Sequence, residues 1–181
     1  MAERAAEMFV EVAADRRVLV PGTGDERAML LAFLRWQRET LELKCSGLSP
    51  ADLARRTAEP AKLSLLGLVR HMADVERRWF RRVLAGEDAP PRFSSAVEPD
   101  GDFDGAVPDA TVVAQAWDSW RAEVSFAEAL AGSTALDVAM EDSWRGLVSL
   151  RWVLVHMIEE YARHNGHADL LRERIDGRVG L

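Results

Sequence analysis

Cysteine is almost absent from this sequence, and long apolar runs are missing. Cys45 is the one cysteine among 181 residues, so no internal disulfide can form, and we expect this residue to be small core packing. The chain starts without a basic and then apolar leader, and its strongly apolar stretches, such as residues 63–69, fall well short of the roughly 18 residues that span a bilayer. These absences predict a cytoplasmic protein with no membrane segment.

Concentrated positive charge and common catalytic motifs are also lacking. The formal net charge of -7 disfavours nucleic acid as a partner, because neutralising phosphates requires a concentrated basic surface. There is no glycine-rich phosphate loop, and Ser143 has no nucleophile-elbow context. The stretch VERRWFRR at 75–82 is locally basic, and we expect its arginines to balance acids of the next loop rather than to bind phosphate. We therefore predict no nucleic acid partner.

Apolar residues recur at helical spacing in four long segments, and no segment shows a strand pattern of similar quality. We expect Asp25 to cap the first segment and Gly47 to end it, and Ser149 and Gly177 to do the same for the last. Four such segments in one chain of this length predict an all-α fold, an antiparallel four-helix bundle. The segments are residues 25–47, 63–87, 108–132 and 149–177.

The connections between these helices differ in composition. Residues 49–56 carry the signature of a short extra helix between the first two long helices. Residues 87–108 hold prolines, glycines and acids without a period, which predicts a long acidic surface loop of the kind that often borders a site. We expect residues 142–146, DSWRG, to belong to an irregular linker. The domain is then 25–177, preceded by an N-terminal extension, residues 1–24, that can begin with a short helix.

The last long segment contains a stripe of four polar residues, His156, Glu160, His164 and His167, spaced four, four and three apart. Glu160 and His164 neighbour Tyr161 on the apolar side of the helix, nearer the core than a solvated pair would be. An isolated buried carboxylate is costly, so an inward Glu160 needs an arginine, another cation or a metal ion as its partner. The stripe is therefore a candidate for part of a metal site.

A third ligand can come from His71, which lies beside the apolar stripe of the second long segment. Two imidazoles and one carboxylate suit a metal such as Zn2+ and leave a position open for water or substrate. The competing interpretation is a charged helix surface with hydrogen-bonded structural histidines, since Glu/His pairs four apart are common there. Spacing alone leaves both interpretations open. His156 and His167 are candidates to contact the ligands without binding the ion.

Two stretches, LSLLGLVRHMADVERRWFRR at 63–82 and LRWVLVHMIEEYARHNGHADLLRERIDG at 150–177, resemble the DinB-like superfamily of metal-binding four-helix bundles. They resemble more closely an actinobacterial branch described as a domain of unknown function, and the likeness spans about residues 25–177. It implies one ligand from a histidine of the second helix, matched by His71. It implies two more ligands, spaced i,i+4, in the last helix, which fall on Glu160 and His164.

The middle ligand departs from the superfamily pattern, in which it is often histidine. Glutamate at this position resembles the His/Glu/His arrangement of the mycothiol-dependent maleylpyruvate isomerases. The resemblance therefore implies a metal-dependent S-transferase or isomerase, in which a low-molecular-weight thiol such as mycothiol reacts with a small electrophile. It also implies a homodimer.

The metal and the reaction are left open by this resemblance. A His/Glu/His site suits zinc, nickel, manganese or ferrous iron. The same site could serve a metal-dependent hydrolase of a small substrate. A third possibility, from another class, is a non-catalytic metal-binding or small-ligand-binding protein induced by stress.

Overall fold

The computed structural model describes residues 15–179, and helices make up most of that part of the chain. Within these residues the one sheet is a two-stranded hairpin, so the predicted all-α class is confirmed. The elements in chain order are α1 (Glu26–Cys45), α2 (Pro50–Ala54), α3 (Leu65–Glu76) with a π-helical continuation (Arg77–Leu84), α4 (Gly101–Asp104), α5 (Ala110–Ser133), β1 (Ala139–Asp142), β2 (Gly146–Ser149) and α6 (Leu150–Asp176).

The ends of the long helices follow the capping residues of the sequence. Asp25 accepts a hydrogen bond from the Ala28 backbone N at 2.9 Å and begins α1. Ser149 caps α6 in the same way, and α6 ends at Gly177, whose φ of 81° is a left-handed conformation that favours glycine. The caps predicted at these three positions are therefore confirmed.

The helix that begins at α3 does not remain α-helical to its end. From Arg77 to Leu84 the backbone is π-helical, which widens each turn and changes which side chains share a face. The apolar spacing predicts an ordinary helix here that extends to residue 87; the structure has a π-helix that ends at Leu84. π-helical turns are rare, and those that occur are often found at functional sites.

Four long helices enclose one apolar core. The most extensive contacts between elements are those of α1 with α6 and of α3 with α5, and α3 also contacts α6. Cys45 is buried in this core, as predicted. The largest fully buried side chains of the core include Leu34, Leu41, Leu65, Leu66, Leu68, Met72, Trp79, Phe80, Leu150, Leu154 and Tyr161.

The segment before α6 is a β-hairpin rather than the predicted irregular linker. Its antiparallel strands pair Ala139 with Ser149 and Asp142 with Gly146. Asp142 closes the turn by accepting hydrogen bonds from the backbone N of residues 144 and 145, at 3.3 and 2.9 Å, and Gly146 adopts a φ of 76°. Strands of only four residues give too little alternation for a period to be recognised.

The predicted N-terminal extension is partly described. The helix expected at its start falls on residues 1–14, outside the described residues, and 15–24 have no regular secondary structure. Arg17 lies over the Trp36 ring at 4.2 Å and donates to Thr40 Oγ1 at 3.0 Å, so this segment packs on α1. In the described part of the chain, no helix combines the length and apolarity needed to cross a membrane.

Candidate metal centre

Three predicted ligands meet between α3 and α6. His71 comes from α3, and Glu160 and His164 come from consecutive turns of α6; one ligand atom of each lies within 4.8 Å of those of the other two. Their side chains are 27%, 18% and 12% exposed, so the cluster is partly buried but open to solvent on one side. An open cluster of two imidazoles and a carboxylate has the composition of a catalytic rather than a structural metal site.

The carboxylate of this cluster accepts no short hydrogen bond from a described residue. Glu160 Oε2 lies 3.5 Å from His164 Nε2, and Oε1 lies 3.7 Å from His156 Nε2 and 3.8 Å from an Arg163 guanidinium nitrogen. These distances are longer than ordinary N–H···O hydrogen bonds. Glu160 therefore keeps its lone pairs available for a cation.

His71 is oriented by Asp102, a residue of the loop that no sequence motif marks. Its Nδ1 lies 2.8 Å from Asp102 Oδ2, and its ring stacks on Phe103 with centroids 5.4 Å apart. A buried carboxylate on Nδ1 fixes the proton there, so Nε2 carries the lone pair that a metal requires. The carboxylate, histidine and candidate metal position form the arrangement that commonly orients metal-binding histidines.

The long acidic loop is what carries Asp102 to His71. Arg70 of α3 donates from Nε to the Asp102 carbonyl and from a terminal nitrogen to the Gly101 carbonyl, at 2.8 and 2.9 Å. At Gly67 a Cβ would lie 2.6 Å from Phe103 Cδ1, so the absence of a side chain lets α4 pack closely on α3. The loop that the sequence predicts therefore contacts the candidate site, through Asp102.

His167 contacts the cluster through His164. Its Nδ1 lies 3.4 Å from His164 Nδ1, and the two rings meet edge to face with centroids 5.4 Å apart. Burial lowers the pKa of His164 to about 4, and the nearby rings of His71 and His167 act in the same direction. The His164 ring is therefore neutral at pH 7.

His156 lies on the other side of Glu160, in an aromatic cluster. Its ring stacks on Trp152 at 4.9 Å and meets Trp79 edge to face at 5.0 Å. Burial lowers the pKa of His156, which favours a neutral ring that packs as an aromatic group. The structure thus places both outer histidines against the predicted ligands, His156 beside Glu160 and His167 beside His164.

Comparison with known proteins bears on this arrangement. A model of the mycothiol-S-transferase family matches residues 29–177, most of the chain. The chain belongs to the mycothiol-S-transferase family. This family is part of the DinB-like superfamily, so the resemblance inferred from the sequence is confirmed.

One solved structure supports the fold of this mycothiol-S-transferase family member. The crystal structure of a conserved protein from Enterococcus faecalis superposes with a TM-score of 0.66 at 16% identity, covering 86% of this chain and 100% of that one. At this identity the likeness concerns the fold alone. The comparison with curated proteins gave no match.

Beside the cluster, this mycothiol-S-transferase family member has a cleft of about 290 Å³. The cleft starts at His71 and Asp102, runs along α3 and the π-helical segment, and is walled on its other side by the acidic loop. This volume lies near the lower end of the range for small-molecule sites. Of the three candidate ligands, His71 lines this cleft, so a small substrate there would lie at the His71 side of the cluster.

A second polar cluster lies directly behind the first, in the core. Glu76 accepts two hydrogen bonds from Arg38, at 2.8 and 2.7 Å, and one from the Tyr161 hydroxyl at 2.8 Å. That hydroxyl accepts in turn from Trp120 Nε1 at 2.8 Å. All four residues are buried, and desolvation raises the pKa of Tyr161, which keeps it protonated as a donor.

Proposed function

We propose that the chain is a metal-dependent S-transferase that joins a low-molecular-weight thiol, such as mycothiol, to a small electrophile. One observation carries the proposal, namely the convergence of His71, Glu160 and His164 in a chain whose family is mycothiol-S-transferase. The donor set fits a divalent ion because Glu160 accepts no short hydrogen bond and Asp102 leaves Nε2 of His71 free. Zinc, nickel, manganese and ferrous iron all suit these donors.

A divalent ion held by these three residues would lower the pKa of a thiol, so that the nucleophilic thiolate forms at neutral pH. The chain's own residues prepare for that role. Asp102 fixes the His71 ring, and α6 presents Glu160 and His164 one turn apart. The cleft along α3 then offers a place for the electrophile beside the thiol.

The test is to measure metal content together with thiol transfer. The purified protein is analysed for bound metal, reloaded with Zn2+, Ni2+, Fe2+ or Mn2+, and assayed with mycothiol and other small thiols against a small electrophile. We expect one ion per chain, lost in His71→Ala, Glu160→Ala and His164→Ala. The matched control is Glu159→Ala, which removes the adjacent, exposed carboxylate of the same helix turn.

Each outcome separates this proposal from its rivals. Full metal occupancy in all three ligand variants would overturn the site assignment. Metal binding with hydrolysis of a small ester or amide, and no use of a thiol, would favour a hydrolase. Metal binding with neither reaction would favour a non-catalytic binding protein. Folding of all variants is checked by their helical circular dichroism.

We also propose that the four long helices form an antiparallel bundle of the DinB type and that the protein is a homodimer. The extensive contacts of α1 with α6 and of α3 with α5 support the bundle. The dimer rests on the superfamily resemblance, and size-exclusion chromatography with light scattering tests it. The cytoplasmic location stays a prediction from the sequence.

A further inference from the structure

The four arginines of the π-helical segment divide into two pairs. Arg77 and Arg81 both donate to Glu123, a fully buried carboxylate of α5, and so tie the segment to the fold. Arg77 also lines the cleft that starts at His71, together with Arg78 and Arg82, neither of which donates to Glu123. The sequence predicts that these arginines balance acids of the loop; among the described residues, Arg81 does so, through Glu87 at 3.1 Å. The second pair has a different environment.

The acids that line the cleft are already occupied. Asp74 accepts hydrogen bonds from the backbone N of residues 92, 93 and 94 and from the Ser94 hydroxyl. Asp102 is engaged by His71 and by the Phe103 backbone N. The carboxylates therefore shape the loop and the metal centre and do not neutralise the cleft arginines.

Of the arginines that line the cleft, Arg78 and Arg82 keep donors available. Arg82 is exposed and forms no hydrogen bond or ion pair with any residue that the structure describes. Arg78 donates to Asp142 at 3.0 Å and lies over the Trp79 ring at 4.5 Å, which holds it at the cleft wall with other N–H groups unused. Guanidinium groups of this kind bind carboxylates through paired, charge-assisted hydrogen bonds.

The spacing between arginines and metal centre suits a small molecule. Arg78 follows His71 by about two helical turns, roughly 10 Å along the axis. Helical side chains lean toward the N-terminus, so Arg78 and Arg82 lean toward His71. A ligand in the cleft can therefore place one end at the candidate metal centre and an anionic end on the arginines.

We propose that the electrophile of this enzyme carries a carboxylate, which Arg78 and Arg82 bind while the reacting carbon lies at the His71 end of the cleft. This inference rests on the proposed function, because it names the substrate class of that site. In a conjugate addition, sulfur bonds to one alkene carbon and the alkene electron pair moves to the other. The second carbon takes up a proton, which balances the one lost by the thiol, and the addition has no leaving group.

The first experiment measures binding without catalysis. Titration calorimetry compares 3-succinimidopropionate, an unreactive carboxylate, with neutral N-ethylsuccinimide. We expect the acid to bind about tenfold or more tightly, and the preference to fall to near one in Arg78→Gln/Arg82→Gln. The matched control is Arg35→Gln, which removes an exposed arginine of α1 that does not line the cleft. No preference in the wild type, or a preference that survives the double substitution, would overturn the inference.

The second experiment uses the reactive counterparts, 3-maleimidopropionate and N-ethylmaleimide, with the metal-loaded protein and mycothiol. After subtraction of the uncatalysed reaction, we expect Arg82→Gln to lower kcat/KM for the acid about tenfold, mainly through KM, and to leave the neutral compound unchanged. Equal losses for both compounds would overturn the inference. Absence of transfer in the wild type, with the succinimide preference intact, would instead overturn the proposed function and leave the carboxylate site standing.

Discussion

Glu160 and Tyr161 are neighbours on α6, but their side chains lie in different polar environments. Tyr161 points into the core, where its hydroxyl, Trp120, Arg38 and Glu76 form a chain of hydrogen bonds of 2.7 to 2.8 Å. Glu160 points to the open side, where its nearest polar contacts are 3.5 Å or longer. The core cluster is closed and satisfied; the candidate metal centre is open and unsatisfied.

The two clusters differ in what they contribute: the core cluster stabilises the fold, and the candidate metal centre is left free to bind a cation. A buried charge pair whose donors and acceptors are matched holds α1, α3 and α6 in a fixed arrangement, and losing one partner is costly. The candidate metal centre brings together lone pairs without donors, and this arrangement adds little stability by itself. It becomes favourable when a cation binds. The two clusters should therefore respond to mutation in opposite ways.

The largest effect is expected from Glu76→Gln, which removes the buried carboxylate that pairs with the Arg38 guanidinium at 2.7 Å. The free energy of unfolding should fall by about 3–5 kcal/mol. The control is Glu128→Gln, since this exposed carboxylate contacts the same Arg38 at 3.6 Å; its change should stay below about 1 kcal/mol. Urea denaturation of both variants measures this, and similar small changes would contradict the structural role of the core cluster.

A third cluster sharpens the comparison through its pH dependence. Burial raises the pKa of Glu123, but hydrogen bonds from Arg81, Arg77 and Arg92 outweigh it, and the pKa lies below its ordinary value. Stability from this carboxylate is present above its unfolded pKa of about 4.3 and is lost as pH falls through the lowered folded pKa.

Accordingly, Glu123→Gln should lower the free energy of unfolding by about 1–3 kcal/mol at pH 7. The gap between variant and wild type should narrow as the pH falls below about 4. Urea unfolding at pH 7 and pH 3 measures both values. A gap that is constant with pH would show that the charge of Glu123 is not what stabilises the cluster.

Asp102→Asn tests the orientation of His71. An asparagine removes the charge that fixes the His71 proton, so the affinity for a divalent ion should fall about 10–100-fold. Asp104→Asn is the control on the same short helix, because that exposed carboxylate pairs with Lys62 instead. Competition with a metal-binding dye gives both affinities, and an unchanged value in Asp102→Asn would remove Asp102 from the site.

The smallest effect on stability is expected from the ligands themselves. In a chelator, Glu160→Ala and His164→Ala should each change the free energy of unfolding by less than about 1 kcal/mol, because no short hydrogen bond is lost. Thermal unfolding without metal measures this. A loss as large as that of Glu76→Gln would mean that the cluster is structural and would break the contrast with the core.

The sequence predicted the long helices well because their signals are local. Asp25, Ser149 and Gly177 act within one turn of the residues they cap, so neighbouring letters suffice to find them. The hairpin at 139–149 was not predicted because each strand has only four residues, too few for an alternating pattern to be recognised. The π-helical segment was not predicted because its apolar residues are compatible with an ordinary helix. The wider turn depends on what packs around it.

The candidate site was predictable in part for the same reason. Glu160 and His164 are four apart on one helix, so their proximity follows from helical geometry. Their meeting with His71 is a tertiary contact, which the residue pattern leaves open and the family resemblance implies. Asp102 reaches His71 only because Arg70 and Gly67 draw the loop onto α3, and no local pattern in an aperiodic loop shows such a contact.

The buried position of Cys45 has a practical consequence. Burial raises the pKa of its thiol to about 12, so this sulfur stays protonated and shielded while the chain is folded. The folded chain therefore presents no reactive sulfur of its own. An alkylating dye would therefore label Cys45 when the fold opens and leave the native state unlabelled.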